Sequence, residues 1–374
     1  MFDYKKVLIN AGNLHAGGGV QVAVSFIYEL SLIASFSHSY SVIASSEVDE
    51  NLASLGADIS VFSSYEVYDF NGLKSIFFFA DRKFKEYDLI FTVFGPSYFL
   101  MKCCCHIFGF AQPWIVYPEN ELFRKLPFIE KVKVKLHFFL QSMFFKRADK
   151  LIVELDHVKK GLVSQEFFDQ DKIYIVNNCL SSIYLEKDKW CPVDLEINNE
   201  FIVIGFVGRD YLHKNLSVLP YVCDIMENQF NLKVKFVVTL TEAEWHARDE
   251  KFKAIVKNVG PLTVAQCPTF YNKLDAVIFP SLLECFSATP IEAMAMRKPL
   301  FCSDRPFVRD ACGEYANYFD PSDPENIAHI IADYFLEDSE NNRRLLEDAR
   351  DRALYFSNAK QRAVEYINII NESL

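Results

Sequence analysis

Residues 279–299 read FPSLLECFSATPIEAMAMRKP, and the change of character along this stretch decides the fold. The apolar run AVIF (276–279) stops at Pro280 and reads as a buried strand that ends there. A helix is expected to open at Pro290, with Thr289 as its N-cap and Glu292 three residues past the cap. Between strand and helix stand the small residues Ser287, Ala288 and Thr289, whose backbone N–H groups can face a ligand. A bare loop at a helix N-terminus is how an α/β protein holds a diphosphate. Two glutamates, Glu284 and Glu292, bracket that loop with seven residues between them. The first would project near the anion, and the second would lie one turn into the helix. A nucleotide-diphosphate-sugar offers what such groups bind, a diphosphate flanked by two hydroxyl-rich rings. A capping box, T-x-x-E, would explain Thr289 and Glu292 with no ligand at all, but it leaves Glu284 in its apolar context unexplained.

Outward from this stretch, apolar runs alternate with helical patterns, the signature of a parallel α/β architecture. The expected strands of the first half are VLIN (7–10), YSVIA (40–44), ISVF (59–62), LIFTVF (89–94), HIFGFA (106–111), LIV (151–153) and IYIV (173–176). Those of the second half are FIVIGFVG (201–208), VKFVVTL (234–240), VKNVG (256–260), AVIF (276–279) and PLFCS (299–303). Short uninterrupted apolar strands are buried on both faces, so two doubly wound domains are expected. The break falls in the weakly patterned segment 181–200, which gives domains 1–185 and 186–356 and a final helical stretch, 357–374.

At 374 residues and 51% hydrophobic composition, the chain can bury a core in each of two domains. A net charge of −11 argues against general nucleic-acid binding. Ten cysteines are scattered without a CxxC pair, and the adjacent Cys103, Cys104 and Cys105 cannot all bridge or chelate together. Reduced cytosolic thiols are the expectation. The N-terminus MFDYKKVLIN reads as a first strand and not as a signal peptide. No run of about 18 uncharged apolar residues is present, so no membrane span is expected and the chain should be cytoplasmic.

Two further constellations follow strands. After the first, Gly17, Gly18 and Gly19 open an amphipathic helix and bare its N-terminus, in a pattern that is neither GxxxxGK[ST] nor GxGxxG. After the first strand of the second domain, GFVGRDYLHKN carries Arg209 and Lys214, with Asn215 beginning a helix-like pattern. Charge-assisted bonds from Arg and Lys would stabilise a departing diphosphate. Asp169-Gln170-Asp171 is nominally a DxD metal motif, but it precedes the strand KIYIV and reads as a solvated turn, so no metal is expected.

Pro280-Ser281, Glu284, Phe286, Pro290, Glu292-Ala293-Met294, Pro299, Ser303, Gly313 and Asp320-Pro321 with Asp323 resemble the donor-binding half of glycosyltransferase family 4, retaining enzymes of the GT-B fold. The resemblance implies two Rossmann-like domains facing a cleft, with the last helix crossing back to the first domain. It gives Arg209 and Lys214, as R-x4-K, the role of a diphosphate clamp, and it makes Glu284 the residue at the transferred sugar. Phe286, Ser287, Ala288, Thr289 and Glu292 would hold the donor, and Gly18 and Gly19 would approach its phosphates or the acceptor. Where the family often has a His contacting the sugar, this chain has Gln112, while His106 starts its strand instead of following it. Asn178 matches an Asn near the cleft. The donor is a substrate, and no further cofactor is implied. The overall look resembles bacterial enzymes of O-antigen or capsule assembly, with a saccharide or polyprenyl-linked acceptor. A non-catalytic nucleotide-sugar-binding subunit, or another GT-B enzyme such as an epimerase, remains the alternative.

From Arg124 to Lys150 the chain carries eight basic and two acidic residues, interleaved with Phe128, Val132, Val134, Leu136, Phe138, Phe139 and others at helical spacing. Basic plus aromatic residues in this pattern read as a helix lying on an anionic membrane surface, which would make the protein peripheral. A core helix with a solvated basic face is the plainer reading of the same stretch.

Overall fold

The computed structural model describes all residues except 1–3, 34–37, 73–74, 79–83, 199 and 338–339. The chain divides into two compact units, Met1–Cys179 with Ser357–Leu374, and Leu180–Phe356.

In the first unit the strands are β1 (Lys6–Ala11), β2 (Ser39–Ala44), β3 (Ser64–Val67), β4 (Leu89–Thr92), β5 (Cys105–Gly109), β6 (Lys150–Val153) and β7 (Ile173–Ile175). They form one parallel sheet in the order β3-β2-β1-β4-β5-β6-β7. β1 lies at its centre, with Ile9 registered on Val42 on one side and on Phe91 on the other. Both faces of β1 are covered, which is why its run is apolar instead of alternating. The helix Ala359–Asn371 belongs to this unit and sets Ala363, Tyr366, Ile369 and Ile370 into the same core as Phe26 and Phe91. Tyr366 meets both Phe rings edge-on at 5.1 Å. Arg362 of this helix is buried, bonded to Asn178 and Ser25 and facing the carboxyl of Glu154. Burial lifts Glu154 to about 7 against the opposing pull of Arg362 and Asn178.

The second unit holds β8 (Ile202–Phe206), β9 (Val234–Val238), β10 (Lys257–Asn258), β11 (Ala276–Phe279), β12 (Leu300–Ser303) and β13 (Asn317–Phe319), all parallel in the order β10-β9-β8-β11-β12-β13. In both sheets the winding reverses beside a central strand, between β1 and β4 and between β8 and β11. Loops leaving such a point open a crevice beyond the strand ends, which is where open α/β sheets bind ligands.

Local chemistry explains where the expected strands differ. Residues 59–62 do not form one: Ile59–Val61 is a 3-10 turn, because the Asp58 carboxylate accepts the Ser60 N–H at 3.0 Å and bends the chain. The edge strand comes later, as β3. The run 256–260 shrinks to β10 because the Asn258 side chain accepts from the N–H groups of Leu240 and Gly260. β13 was not anticipated from the sequence, since three residues with only Phe319 buried carry little apolar signal. The boundary between units falls at Cys179–Leu180, ahead of the expected 185, and the return comes at Ser357.

Gly17 caps the helix Gly18–Ser31 with φ 76° and ψ −161°, a conformation that is essentially glycine-only. A Cβ at Gly17 or Gly18 would meet nothing within 4 Å. Gly17→Ala should therefore cost about 1–3 kcal/mol through backbone strain alone, whereas Gly18→Ala should be neutral or stabilising by up to about 1 kcal/mol. Urea midpoints of the two variants check this, and equal midpoints would contradict it.

Candidate functional site

The loops after β8 and β11 converge at the switch point of the second sheet. After β8 the chain runs Val207, Gly208, Arg209, then a 3-10 turn Leu212–Lys214 that ends at Asn215. Asn215 is left-handed (φ 57°), a conformation Asn tolerates, so it breaks the chain between two turns instead of beginning a helix. The helix starts at Leu219. The Asn215 side chain donates to the Pro321 carbonyl at 2.8 Å, which ties this loop to the Asp320-Pro321 turn.

Lys214 reaches Glu284 at 2.5 Å, and both side chains are only 12% exposed. The same oxygen, Glu284 Oε1, accepts from Ser281 Oγ at 2.7 Å and lies 3.5 Å from His213 Nε2. Burial pushes the His213 pKa down, so the ring is neutral at pH 7. Ser281 is itself fully buried, and the neighbouring Leu282 N–H donates to the His213 carbonyl at 2.7 Å. Lys214 also sits 5.1 Å from the Phe279 ring. A cation and a carboxylate are thus locked together in a poorly hydrated place, where each interaction is stronger than in water.

Arg209 stands differently. Its side chain is 53% exposed and donates to Glu244 Oε1 at 2.7 Å. Against the upward pull of burial, bonds from Arg209, Thr241 and the Asp210 N–H hold Glu244 down at about 2. Glu244 is fixed by a capping box with Thr241, so it is a preset partner for the guanidinium.

The expected cap at Thr289 is corrected by the structure. The helix is Ala288–Ala295, its N-cap is Ser287, and that serine makes no side-chain cap bond. Thr289 lies inside the first turn and donates to the Val207 carbonyl at 3.1 Å, which clips the helix start to the end of β8. Nor does Glu292 close a capping box. Its carboxylate accepts from Tyr271 Oη at 2.9 Å and is bonded by Tyr184 as well. Burial raises the Glu292 pKa against those two bonds, and it raises both tyrosines too. The helix therefore begins with Ser287 and Ala288 and uncapped N–H groups, the arrangement an anion needs.

In the first unit, Gly18 and Gly19 open their helix at the switch point beside β1, with no acidic residue in its first turn. Asn13 donates to the Phe94 carbonyl at 2.7 Å and joins the loops after β1 and β4. β5 ends at Gly109, and Gln112 follows as the cap position of the short helix Pro113–Val116, without a side-chain cap bond. His106 is buried, stacked on Phe99 at 4.1 Å, and burial pulls its pKa down to about 4, as befits a core histidine. Among the described residues, Cys103, Cys104 and His106 bring three potential metal ligands within 4.8 Å of one another. They lie at the amino end of β5, opposite to Gln112, and burial raises the Cys104 thiol away from the thiolate a metal binds. Asp169 pairs with Lys172 at 2.7 Å beside the 3-10 turn Gln170–Lys172, as a solvated turn does.

Lys214, Arg209, Glu284 and Glu292 stand out in the sequence, but the groups that bond them, apart from the Lys214–Glu284 pair itself, do not. Ser281 and His213 lay within motifs already marked, whereas Tyr184, Tyr271 and Glu244 carried no local signal.

Comparison with solved structures assigns the architecture to the GT-B class. A glycosyltransferase from Rickettsia africae superposes with a TM-score of 0.69 at 14% identity, covering 99% of this chain and 98% of that one. HepE of Anabaena, solved with UDP and glucose, gives 0.66 at 14% identity over 99% and 100%. Sucrose-phosphate synthase from Thermosynechococcus elongatus gives 0.68 at 13% over 98% of each chain. Residues 192–352, inside the second unit, match the family model described as Glycosyl transferases group 1. In sequence, the chain is 25% identical over 205 residues to the O-antigen chain mannosyltransferase RfbU of Salmonella typhimurium. That match covers 53% of this chain and 54% of RfbU, so it spans about half the length of the curated relative.

Proposed function

We propose that this protein is a retaining glycosyltransferase that moves a sugar from a nucleotide-diphosphate-sugar to a saccharide hydroxyl. The acceptor is proposed to be carried on a polyprenyl lipid in bacterial O-antigen or capsule synthesis, with the enzyme peripheral on the inner face of the cytoplasmic membrane. The observation that carries the chemistry is the Lys214–Glu284 contact of 2.5 Å at the switch point of the second sheet. The group 1 domain and the resemblance to RfbU support the same reading.

In this reading the diphosphate rests on the uncapped helix start at Phe286, Ser287, Ala288 and Thr289, with Lys214 and Arg209 on its charge. As the bond from the anomeric carbon to the phosphate oxygen breaks, negative charge grows on that oxygen and the two cations stabilise it. The departing phosphate takes the proton of the acceptor hydroxyl on the same face. The acceptor oxygen then bonds the anomeric carbon from that face, so configuration is kept and no protein base is required. With Oε1 engaged by Lys214 and Ser281, Glu284 Oε2 is the acceptor left for a sugar hydroxyl. Glu292 bonds the ribose. Gly18 and Gly19 approach phosphates or acceptor, and Gln112 contacts sugar or acceptor. No metal enters, since the cations supply the positive charge.

The relatives point to different sugars, so the donor is the first thing to measure. A thermal-shift panel of UDP, GDP, CDP and dTDP should give one clear rise in Tm, because binding to the folded state stabilises it. With the matching sugar donor, transfer should survive EDTA, and product NMR should show the donor's anomeric configuration retained. An inverted product would reject the mechanism.

A further inference from the structure

We infer that the helix Phe128–Phe145 docks on an anionic lipid surface through one apolar face, with its axis in the plane of the membrane. This rests on the proposed membrane-held acceptor and deepens it by naming the contact. Phe128, Ile129, Val132, Leu136, Phe139 and Met143 are all exposed, from 51% at Val132 to 80% at Phe128. At 3.6 residues per turn these six fall within an arc of about 100°, a continuous apolar stripe. The opposite side is the one that packs: Phe145 is buried against Phe110 at 4.7 Å, and Phe138 stacks on Trp114 at 5.7 Å. The helix is therefore apolar on two faces, and only one of them is used by the fold. At its end, Arg147 donates to the Phe99 carbonyl at 2.7 Å and holds the exposed Leu100 and Met101 close by.

Charge selects the occupant. Lys131 and Lys135 line one edge of the stripe and Lys133 the other, within a segment, 124–150, that has an excess of six positive charges in a chain of net −11. Lys133 pairs with Glu130 and Lys135 with Glu119, but these are exposed pairs worth little. A second copy would bring the same lysine-edged face against its own image, and like charges would oppose it. An anionic bilayer complements both features, taking the side chains into the headgroup boundary and the lysines onto the phosphates. At 18 residues the helix is about 27 Å long. Three lysines and a glutamate interrupt it, and no helix among the described residues is long and apolar enough to cross a membrane.

The test is flotation of the full chain with phosphatidylglycerol–phosphatidylcholine vesicles at low salt, compared with phosphatidylcholine alone. Wild type should float with the anionic vesicles and lose binding as salt rises. Leu136→Asp and Phe139→Asp, at exposed positions that should fold normally, should each bind at least tenfold less. Changing Lys131, Lys133 and Lys135 together to Glu should cost at least about 10²-fold, at roughly fivefold for each lysine lost and more for the repulsion that each glutamate adds. Brominated lipid should quench the tryptophan fluorescence of Phe139→Trp more than that of wild type. Absence of wild-type flotation, equal flotation of the Asp variants, or a dimer that Phe139→Asp dissociates without any vesicle binding would each overturn the inference. Transfer to a lipid-free acceptor separates the two readings. If transfer occurs and flotation fails, only the docking falls. If flotation behaves as described but no donor supports transfer, the enzyme reading falls.

Discussion

Lys214→Ala is expected to lower kcat/KM by roughly 10²–10³-fold, the scale of losing one charged transition-state contact in a poorly hydrated site. The reason is placement. Lys214 and Glu284 are each 12% exposed and 2.5 Å apart, so the ammonium acts where water screens little. Arg209→Ala should cost less, about 10²-fold, because its guanidinium is 53% exposed and already answered by Glu244. Lys214→Arg should recover part of the loss, since charge returns but the guanidinium fits the point contact to Oε1 poorly. Removal of the ammonium also strands the buried Glu284 carboxylate, so the far-UV spectrum and Tm of each variant must be matched before rates are compared. Wild-type turnover in a folded Lys214→Ala protein would remove this residue from the chemistry.

Glu284→Gln should reduce kcat by a similar 10²–10³-fold while changing the affinity for the free nucleoside diphosphate little, because its proposed contact is with the sugar. Glu292→Gln should do the reverse. Loss of its proposed hydrogen bond to the ribose should weaken the nucleoside diphosphate by up to about tenfold in calorimetry. The opposite order of affinities would show that the two roles are exchanged or mistaken. Glu292 has a second, independent consequence. Burial raises its pKa in the folded state, so its contribution to stability is present in full below the unfolded carboxylate range and is lost as pH rises through the raised value. Gln does not ionise. The Glu292→Gln protein should therefore lose less stability than wild type as pH rises upward from the ordinary carboxylate range, read as the urea midpoint, and parallel losses would count against a buried, ionising Glu292.

The amino-acid sequence by itself determined the two parallel sheets, the glycine turn at Gly17 and the placing of Arg209, Lys214, Glu284 and Glu292 after strands. Each of these is a local property. A buried strand is a short apolar run, a positive φ calls for glycine, and strand-to-helix turns bring Arg209, Lys214, Glu284 and Glu292 to strand ends wherever the sheet lies. Two exceptions were also local in cause, since Asp58 turned one expected strand into a turn and Asn258 shortened another, each through its own side chain. Only the tertiary structure decided which groups meet. Lys214 finds Glu284 across 70 residues, and Glu292 finds Tyr271 across 21, pairings set by the order of strands and invisible to periodicity. Thr289 shows the same limit: its sequence neighbourhood fits a cap, but the carbonyl of Val207, brought in by the β8–β11 pairing, takes its hydroxyl instead. The helix Phe128–Phe145 is the clearest case. Its pattern marks apolar side chains around much of the circumference, and a hydrophobic residue looks the same in sequence whether or not a neighbour covers it. Packing against Phe110 and Trp114 covers one face and leaves the Phe128–Met143 stripe in water, because coverage depends on contacts far apart in the chain.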